Sequence, residues 1–196
     1  MGRGALSATS GAAGARVGRL SVCVYCASSD GVAPSNVALA EAVGRGIAAR
    51  GWTLVSGGGR RSMMGAVAQG ARAGGGRTVG VIPRSMVERE WADHDSDELL
   101  VTDTMRDRKA MMDAHADAFL ALPGGIGTLE ELFEVWSSGV LELHRKPVVL
   151  LDPDGHYTGL LSWLRELVAA GFARPAALDR VVVTAGVDAA LDACVP

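Results

Sequence analysis

The chain has 196 residues, of which 48% are hydrophobic and 21% charged, and its formal net charge at pH 7 is -3. This size and composition suit one globular unit with a substantial core. Its charged residues are scattered and form no basic stripe of the kind that neutralises a phosphate backbone, so we expect no nucleic-acid partner.

The N-terminal segment, residues 1–18, is rich in Gly, Ala and Ser and has no apolar run like that of a signal peptide. We predict a flexible tail there and one folded domain over residues 19–196. No stretch reaches the roughly 20 apolar residues of a membrane span, so we expect no membrane partner. The three cysteines form an odd set without a framework of spacings, which favours a reducing, cytoplasmic location.

Cys23 and Cys26 form a C-x-x-C pair inside a predicted strand. Residues three apart in a strand point to opposite faces, so a shared metal or redox role is disfavoured and buried thiols are expected. The four histidines show no metal-binding spacing either. The sequence therefore predicts no metal site.

Short apolar or β-branched runs alternate with longer segments of helical period, and Gly or Pro marks most changeovers. This alternation predicts an α/β fold, a Rossmann-like three-layer sandwich around a central, mostly parallel sheet of about seven strands. Helices are expected between the strands, including 34–49, closed by Gly51 as a left-handed cap, and 62–73, closed in the same way by Gly74. The predicted strands are 20–27, 53–56, 78–82, 99–102, 118–122, 147–151 and 180–183.

Three strand-to-helix turns are candidate anion sites, and a parallel sheet places them at one edge. They are A-S-S-D at 27–30, G-G-G at 57–59 and P-G-G-I-G-T at 123–128. Glycines let the backbone approach a phosphate closely, and the N–H groups that start the next helix point at it. The alternative is that each glycine only permits a tight turn. Neither glycine turn matches a P-loop or the Rossmann fingerprint, so a nucleoside monophosphate fits better than ATP or NAD.

The segment 105–112 is predicted to be helical, with Met105, Met112 and then Ala116 facing the core. Its basic residues face elsewhere, and a solvated basic face explains them without any function. These residues are Arg106, Arg108 and Lys109.

Glu131 allows two interpretations. It lies three residues after Thr128, which matches a capping box in which the glutamate only reaches back to the N-cap backbone. It would also lie beside the predicted phosphate turn, where a carboxylate can orient water and stabilise a ribosyl oxocarbenium ion. The residues by themselves leave both open.

Three motifs in this order closely resemble the Lonely Guy family. They are S-G-G-G at 56–59 with M-G at 64–65, M-x-x-R-K at 105–109, and P-G-G-I-G-T-L-E-E at 123–131. The resemblance covers residues 20–194, and the third motif following the second is its most specific part. Two departures stand out: Ser62 and Met63 replace the Gly and Leu of many members, and Ala27 stands where Gly is common.

The resemblance implies a cytokinin riboside 5′-monophosphate phosphoribohydrolase. Such an enzyme cleaves the N-glycosidic bond of the cytokinin nucleotide or of AMP, and releases the free base and D-ribose 5-phosphate. The family further implies a homodimer, no metal or organic cofactor, and a catalytic pair that maps onto Arg108 and Glu131. The acid that protonates the departing base and the preferred base stay unassigned.

The same resemblance places the nucleotide against the three turns, with Thr128 at the phosphate and Glu130 at the ribose or supporting the site. Trp91, Met86 and Met63 are further candidates for the pocket lining. The full set of substrate-binding candidates is Ser28, Ser29, Gly57, Gly58, Gly59, Met105, Lys109, Gly124, Gly125, Gly127, Thr128 and Glu130.

Two other functions stay open at this point. A non-catalytic carrier or sensor of a phosphorylated ligand, such as molybdenum cofactor, would use the same turns. A lysine decarboxylase, a label often attached to relatives, needs a lysine that forms a Schiff base with pyridoxal phosphate. Only Lys109 and Lys146 are present, and neither lies in a recognisable cofactor motif.

Overall fold

A computed structural model describes residues 19–87, 89 and 91–196, so the predicted tail lies outside the described residues. Seven strands form one sheet, in which every neighbouring pair is parallel. The strands are β1 (Ser21–Tyr25), β2 (Thr53–Ser56), β3 (Arg77–Pro83), β4 (Glu98–Thr102), β5 (Ala118–Ala121), β6 (Val148–Leu151) and β7 (Val181–Thr184). Their order in the sheet is β4-β3-β2-β1-β5-β6-β7. The predicted α/β fold is confirmed.

Helices cover both faces of the sheet, because each β-α-β connection must cross over one face to reach the next parallel strand. They are α1 (Pro34–Ala49), α2 (Ser62–Ala73), α3 (Arg84–Val87), α4 (Met105–His115), α5 (Ile126–Val140), α6 (Thr158–Ala169), α7 (Pro175–Leu178) and α8 (Val187–Asp192). None of the helices found in the described ranges is long and apolar enough to cross a bilayer.

Two hydrophobic clusters fill the space on the two faces of the sheet. One includes Ile47 of α1 and Val67 of α2, and the other includes Met112 of α4 and Leu132 of α5. Cys26 belongs to the first cluster and Cys23 to the second, which confirms that the C-x-x-C thiols point to opposite faces. Both thiols are buried and free, as is Cys194.

The two predicted helix caps have different outcomes. Gly51 takes the left-handed conformation after α1, with φ of 68°. Gly74 does not, because its N–H still bonds the carbonyl of Gly70 in the helical manner and its φ is -85°. The chain turns left-handed one residue later, at Gly75, where φ is 74°.

The direction of winding reverses at β1, which lies between β2 and β5. The connections that leave β1 and β5 therefore cross to different faces, and a crevice opens where they part. The turns after β1, β2 and β5 meet at this crevice. They are the three turns that the sequence marks as candidate anion sites.

Candidate active site

A cavity of about 400 Å³ lies at the carboxyl edge of the sheet, between the three turns. It brings together Arg108, Glu131 and most of the other predicted site residues. Those that line it are Ser28, Ser29, Gly57, Gly59, Met105, Arg108, Gly125, Gly127, Thr128, Glu130 and Glu131.

Arg108 is held inside the protein, which overturns the solvated basic face for this residue. It is only 6% exposed, whereas its neighbour Arg106 is exposed. Its Nε donates to the carbonyl of Val81 on β3 at 3.1 Å, and its Nη1 donates to Glu131 Oε1 at 2.8 Å. The helix that carries it is capped by Thr104, whose Oγ1 accepts a hydrogen bond from the Asp107 N–H.

Glu131 pairs with this arginine and does not close a capping box. Helix α5 begins at Ile126 with Gly125 as its N-cap, so Thr128 already lies inside the first turn. Burial raises the pKa of Glu131 above its ordinary value of 4.5, and the adjacent Arg108 charge opposes that rise. The result is a desolvated carboxylate that depends on its ion pair.

The start of α5 offers backbone donors to the cavity. Its N-cap residue, Gly125, has no side-chain acceptor to satisfy the N–H groups of the first turn. Two contacts fix the loop before α5 at Gly124. The first is with Thr128, whose Oγ1 lies only 2.2 Å from the position that a Cβ on Gly124 would occupy. His156 Nε2 also hydrogen-bonds the Gly124 carbonyl at 2.9 Å.

Three predicted binding residues do not line the cavity. Gly58, with φ of 67°, lies against Val81 and Ile82 of β3. Gly124 serves the loop contacts just described. Lys109 Nζ contacts the carboxylates of Glu130 and Glu134, and lies 2.6 Å from Glu134 Oε2.

Two methionine predictions are wrong in opposite ways. Met105 was predicted both to face the core and to bind substrate; it is 43% exposed and lines the cavity, so the core prediction is wrong, because α4 begins there at the carboxyl edge of the sheet. Met63 was a candidate for the lining, but it is fully buried in the core. Its neighbour Met64 lines the cavity instead. Met112 and Ala116 are buried as predicted.

Several lining residues were not predicted from the sequence, although Met86 and Trp91 were candidates and do line the cavity. Ala27 and Ile126 lie within the predicted turns 27–30 and 123–128, and the residues that were not predicted are Cys26, Arg61, Met64 and Ile82. Cys26 directly follows β1 and Ile82 lies near the end of β3, so their position at the carboxyl edge of the sheet was a usable signal, whereas Arg61 and Met64 at the start of α2 had no such signal. In the ranges that the structure describes, no cluster of three or more His, Cys, Asp or Glu residues is placed to hold a metal ion.

The fold and the cavity define a Rossmann-like protein with a ligand site at its topological switch point. The family described as "Possible lysine decarboxylase" matches residues 64–194. The chain belongs to this family, and the resemblance to the Lonely Guy family that its motifs indicate is confirmed by its relatives.

The chain is 55% identical over 179 residues to the cytokinin riboside 5′-monophosphate phosphoribohydrolases of Mycobacterium marinum and Mycobacterium tuberculosis. The match covers 91% of this chain and 95% of each relative. The enzyme of the same name from Rhodococcoides fascians is 43% identical over 189 residues, which is 96% of each chain.

Solved structures share the fold at lower identity. The molybdenum cofactor binding protein of Rippkaea orientalis superposes with a TM-score of 0.68 at 24% identity, over 90% of this chain and 95% of that one. The molybdenum cofactor carrier protein of Chlamydomonas reinhardtii gives 0.65 at 24% identity, over 89% and 95%. At this identity the likeness concerns the fold alone.

Proposed function

We propose that this protein hydrolyses the N-glycosidic bond of cytokinin riboside 5′-monophosphate, with AMP as a simpler substrate, to free base and D-ribose 5-phosphate. The observation that carries the proposal is the Arg108–Glu131 pair in the wall of the cavity, where the two side chains are 8% and 13% exposed and their charged atoms lie 2.8 Å apart. The pair occurs in a chain that is 55% identical to phosphoribohydrolases across 95% of their length.

The phosphate would bind between the turns after β1 and β5. Ser28, Ser29 and Thr128 supply hydroxyl groups there, and the start of α5 supplies backbone N–H groups and the positive end of its dipole. Holding a remote phosphate in this way lets binding energy position the glycosidic bond for reaction.

In the chemical step, water adds to C1′ while the bond from C1′ to the base nitrogen breaks. The base leaves with the bonding electrons and takes up one proton, and the attacking water loses one. Glu131 stabilises the positive charge that develops on the ribose and accepts the proton from water. Within the described chain its hydrogen bond to Arg108 uses only Oε1, so Oε2 is available to water or ribose.

Arg108 fixes the orientation of that carboxylate and directs its remaining N–H groups at substrate oxygens. The pair is held on both sides, since the Val81 carbonyl accepts from Arg108 Nε. Glu130, which is exposed and lines the cavity beside Glu131, is placed to contact the ribose. Met64, Ile82, Met86 and Trp91 form an apolar wall that suits the planar face of a purine.

The geometry disfavours the lysine decarboxylase alternative. A lysine that forms a Schiff base must lose its proton, and contacts with anions oppose that loss. Hydrogen bonds that Lys109 donates to the carboxylates of Glu130 and Glu134 raise the pKa of Lys109. Lys146 is held by the carboxylate and the carbonyl of Asp113.

The carrier alternative has the shared fold in its favour, but that function has no need of the Arg108–Glu131 pair.

The proposal includes a homodimer in the cytoplasm. Ile126 lines the cavity and is 88% exposed, and Leu141 and Leu143, which follow the same helix, are 69% and 74% exposed. A second copy that covers Ile126 would also cover that part of the cavity rim. Light scattering on the purified protein tests the dimer.

The three buried free thiols suit a reducing compartment.

The test is incubation with AMP and with isopentenyladenosine 5′-monophosphate, following free base by chromatography. Wild type should release base, and Glu131→Ala should release almost none. Glu134→Ala is the matched control, because it removes an exposed carboxylate from the same helix. If folded wild-type protein releases base from neither nucleotide, the hydrolase is rejected and tight ligand binding without turnover would support the carrier.

A further inference from the structure

Residues 91–93, here called the strap, cross the rim of the cavity and are pinned to the triple-glycine turn. Gly59 and Ala92 form an isolated antiparallel bridge. The Arg60 N–H donates to the Trp91 carbonyl, and the Asp93 N–H donates to the Gly58 carbonyl, both at 2.9 Å. The backbone of the strap therefore follows the turn that packs against Arg108.

The strap also carries a buried carboxylate, Asp93, whose ion pair with the partly exposed Arg72 is not used by the proposed chemistry. The Asp93 carboxylate is 6% exposed, and its Oδ2 lies 2.7 Å from Nη1 of Arg72 in the last turn of α2. A buried carboxylate without a partner is strongly unfavourable, so this pair fixes Asp93 against α2. Neither residue lines the cavity.

Trp91 is the strap residue that faces the cavity, and its ring is held by cations. The guanidinium carbons of Arg61 and Arg89 lie 5.6 and 5.5 Å from the ring centroid. Arg61 also lies 3.5 Å from the carboxylate of Asp30 in the turn after β1. The indole is thereby connected to the turns on both sides of the cavity.

We propose that Trp91 determines the specificity for the base, and that Asp93 and Arg72 are positioning residues that hold Trp91 in place. A Trp91 ring held in place contacts an apolar substituent on the base. If the strap were released from α2, the ring would no longer be held against that substituent. The inference rests on the proposed function and adds to it the residues that discriminate between an alkylated and an unmodified adenine.

The experiment measures kcat/KM for isopentenyladenosine 5′-monophosphate and for AMP, and compares their ratio among variants. Trp91→Ala and Arg72→Met should each lower the ratio, by about tenfold, as expected for loss of apolar contacts in a pocket. Trp91→Ala combined with Arg72→Met should lower the ratio no further than Trp91→Ala alone, because Arg72 acts through Trp91. In Arg72→Met the kcat on AMP should persist, since Arg72 does not line the cavity and the Arg108–Glu131 pair is untouched.

Two controls separate positioning from general stability. Arg72→Lys keeps the cation and should restore the ratio. Arg77→Met removes an exposed ion pair between β3 and β4, in which Arg77 Nη2 lies 2.6 Å from Glu98 Oε2. This variant should leave the ratio unchanged. If Arg72→Met does not fold, the uncharged combination Arg72→Met with Asp93→Asn replaces it, because that variant leaves no unpaired buried charge.

The outcomes distinguish the two proposals. Three results would overturn the positioning role of Arg72 and Asp93. They are an equal loss of kcat/KM for both substrates in Arg72→Met, an unchanged ratio of the two kcat/KM values, and additive effects of Trp91→Ala and Arg72→Met on that ratio. Failure of the Arg72→Met and uncharged variants to fold would also overturn it, since the pair would then be a stability element. Wild-type protein that turns over neither nucleotide would overturn the proposed function itself.

Discussion

The guanidinium Nη2 of Arg108 lies 1.8 Å from the position that a Cβ on residue 57 would occupy. Gly57 is therefore required for space, because any side chain at this position would displace the arginine. The triple-glycine turn and the M-x-x-R-K helix are far apart in sequence, yet this contact makes them parts of one site. The glycine admits Arg108, and Arg108 in turn holds Glu131.

Gly57→Ala should remove activity while the protein stays folded. The new methyl group forces Arg108 out of its bond with Glu131, and loss of one positioned charge-stabilising group costs about a hundredfold or more in kcat. Base release and circular dichroism measure the two effects. Gly159→Ala is the matched control, since nothing lies within 4 Å of its added methyl group. A Gly57→Ala enzyme with normal kcat would contradict the role of Arg108.

The Arg108–Glu131 pair should show strong coupling in stability. Arg108→Met leaves a desolvated Glu131 carboxylate without its counter-ion, and we expect a loss of about 3 kcal/mol in the free energy of unfolding. Arg108→Met together with Glu131→Gln should lose less than the sum of the two single changes, because no unpaired charge is left.

Urea unfolding provides these values. The comparison is Glu134→Gln, which removes one of the two carboxylates that contact Lys109 on the surface and should cost at most about 1 kcal/mol. Strict additivity of the Arg108 and Glu131 changes would show that the two charges do not depend on each other.

The pH profile of kcat/KM should carry the signature of Glu131. Its carboxyl must be ionised to stabilise the ribosyl cation, and burial raises its pKa above 4.5. The acid limb of the profile should therefore lie above pH 4.5 and should be absent from the residual activity of Glu131→Gln. Glu134→Gln should keep the limb at the wild-type position. An acid limb that survives in Glu131→Gln would assign it to another group.

The raised pKa of Glu131 also affects stability, and in the opposite direction to activity: activity needs the ionised carboxylate, whereas folding favours the protonated one. The folded protein holds the Glu131 proton more tightly than the unfolded chain does, so folded Glu131 binds more protons between the two pKa values. Its contribution therefore favours folding at low pH and is lost as the pH rises through that window. Wild type should gain stability relative to Glu131→Gln as the pH is lowered through it.

Much of the fold follows from local sequence. The predicted strand 53–56 and helices 34–49 and 62–73 match the observed bounds, because each combines a clear apolar period with a breaker at its end. The cap of α2 was misplaced by one residue within G-G-G at 74–76. Composition does not indicate which of three consecutive glycines turns left-handed.

The site was predictable as a set of turns but less so as a set of side chains. Local period places a basic residue such as Arg108 at the surface, and only a carboxylate from another helix explains its burial. The Thr128–Glu131 spacing suggested a cap, but Gly125 starts the helix earlier. Trp91 reaches the cavity through the bridge of the strap to Gly59, a long-range pairing without a sequence signature.

Ser62 stands where the family resemblance implies a glycine, and its backbone takes a conformation that glycine adopts more readily. Its φ is 50°, a left-handed conformation that costs an L-residue about 1 kcal/mol or more. Its Oγ donates to the Ser29 carbonyl at 2.6 Å, which ties the turn after β2 to the turn after β1. The hydrogen bond offsets the backbone strain.

Ser62→Ala keeps the strain and loses the bond, so its free energy of unfolding should fall by about 1 kcal/mol. Ser62→Gly loses the bond but relieves the strain, so it should stay close to wild type. Glu142 is the control, because it is also left-handed, with φ of 60°, and its side chain makes no hydrogen bond within the described chain. Glu142→Gly should therefore stabilise the protein in urea unfolding, whereas equal stability of Ser62→Ala and Ser62→Gly would deny the strain at Ser62.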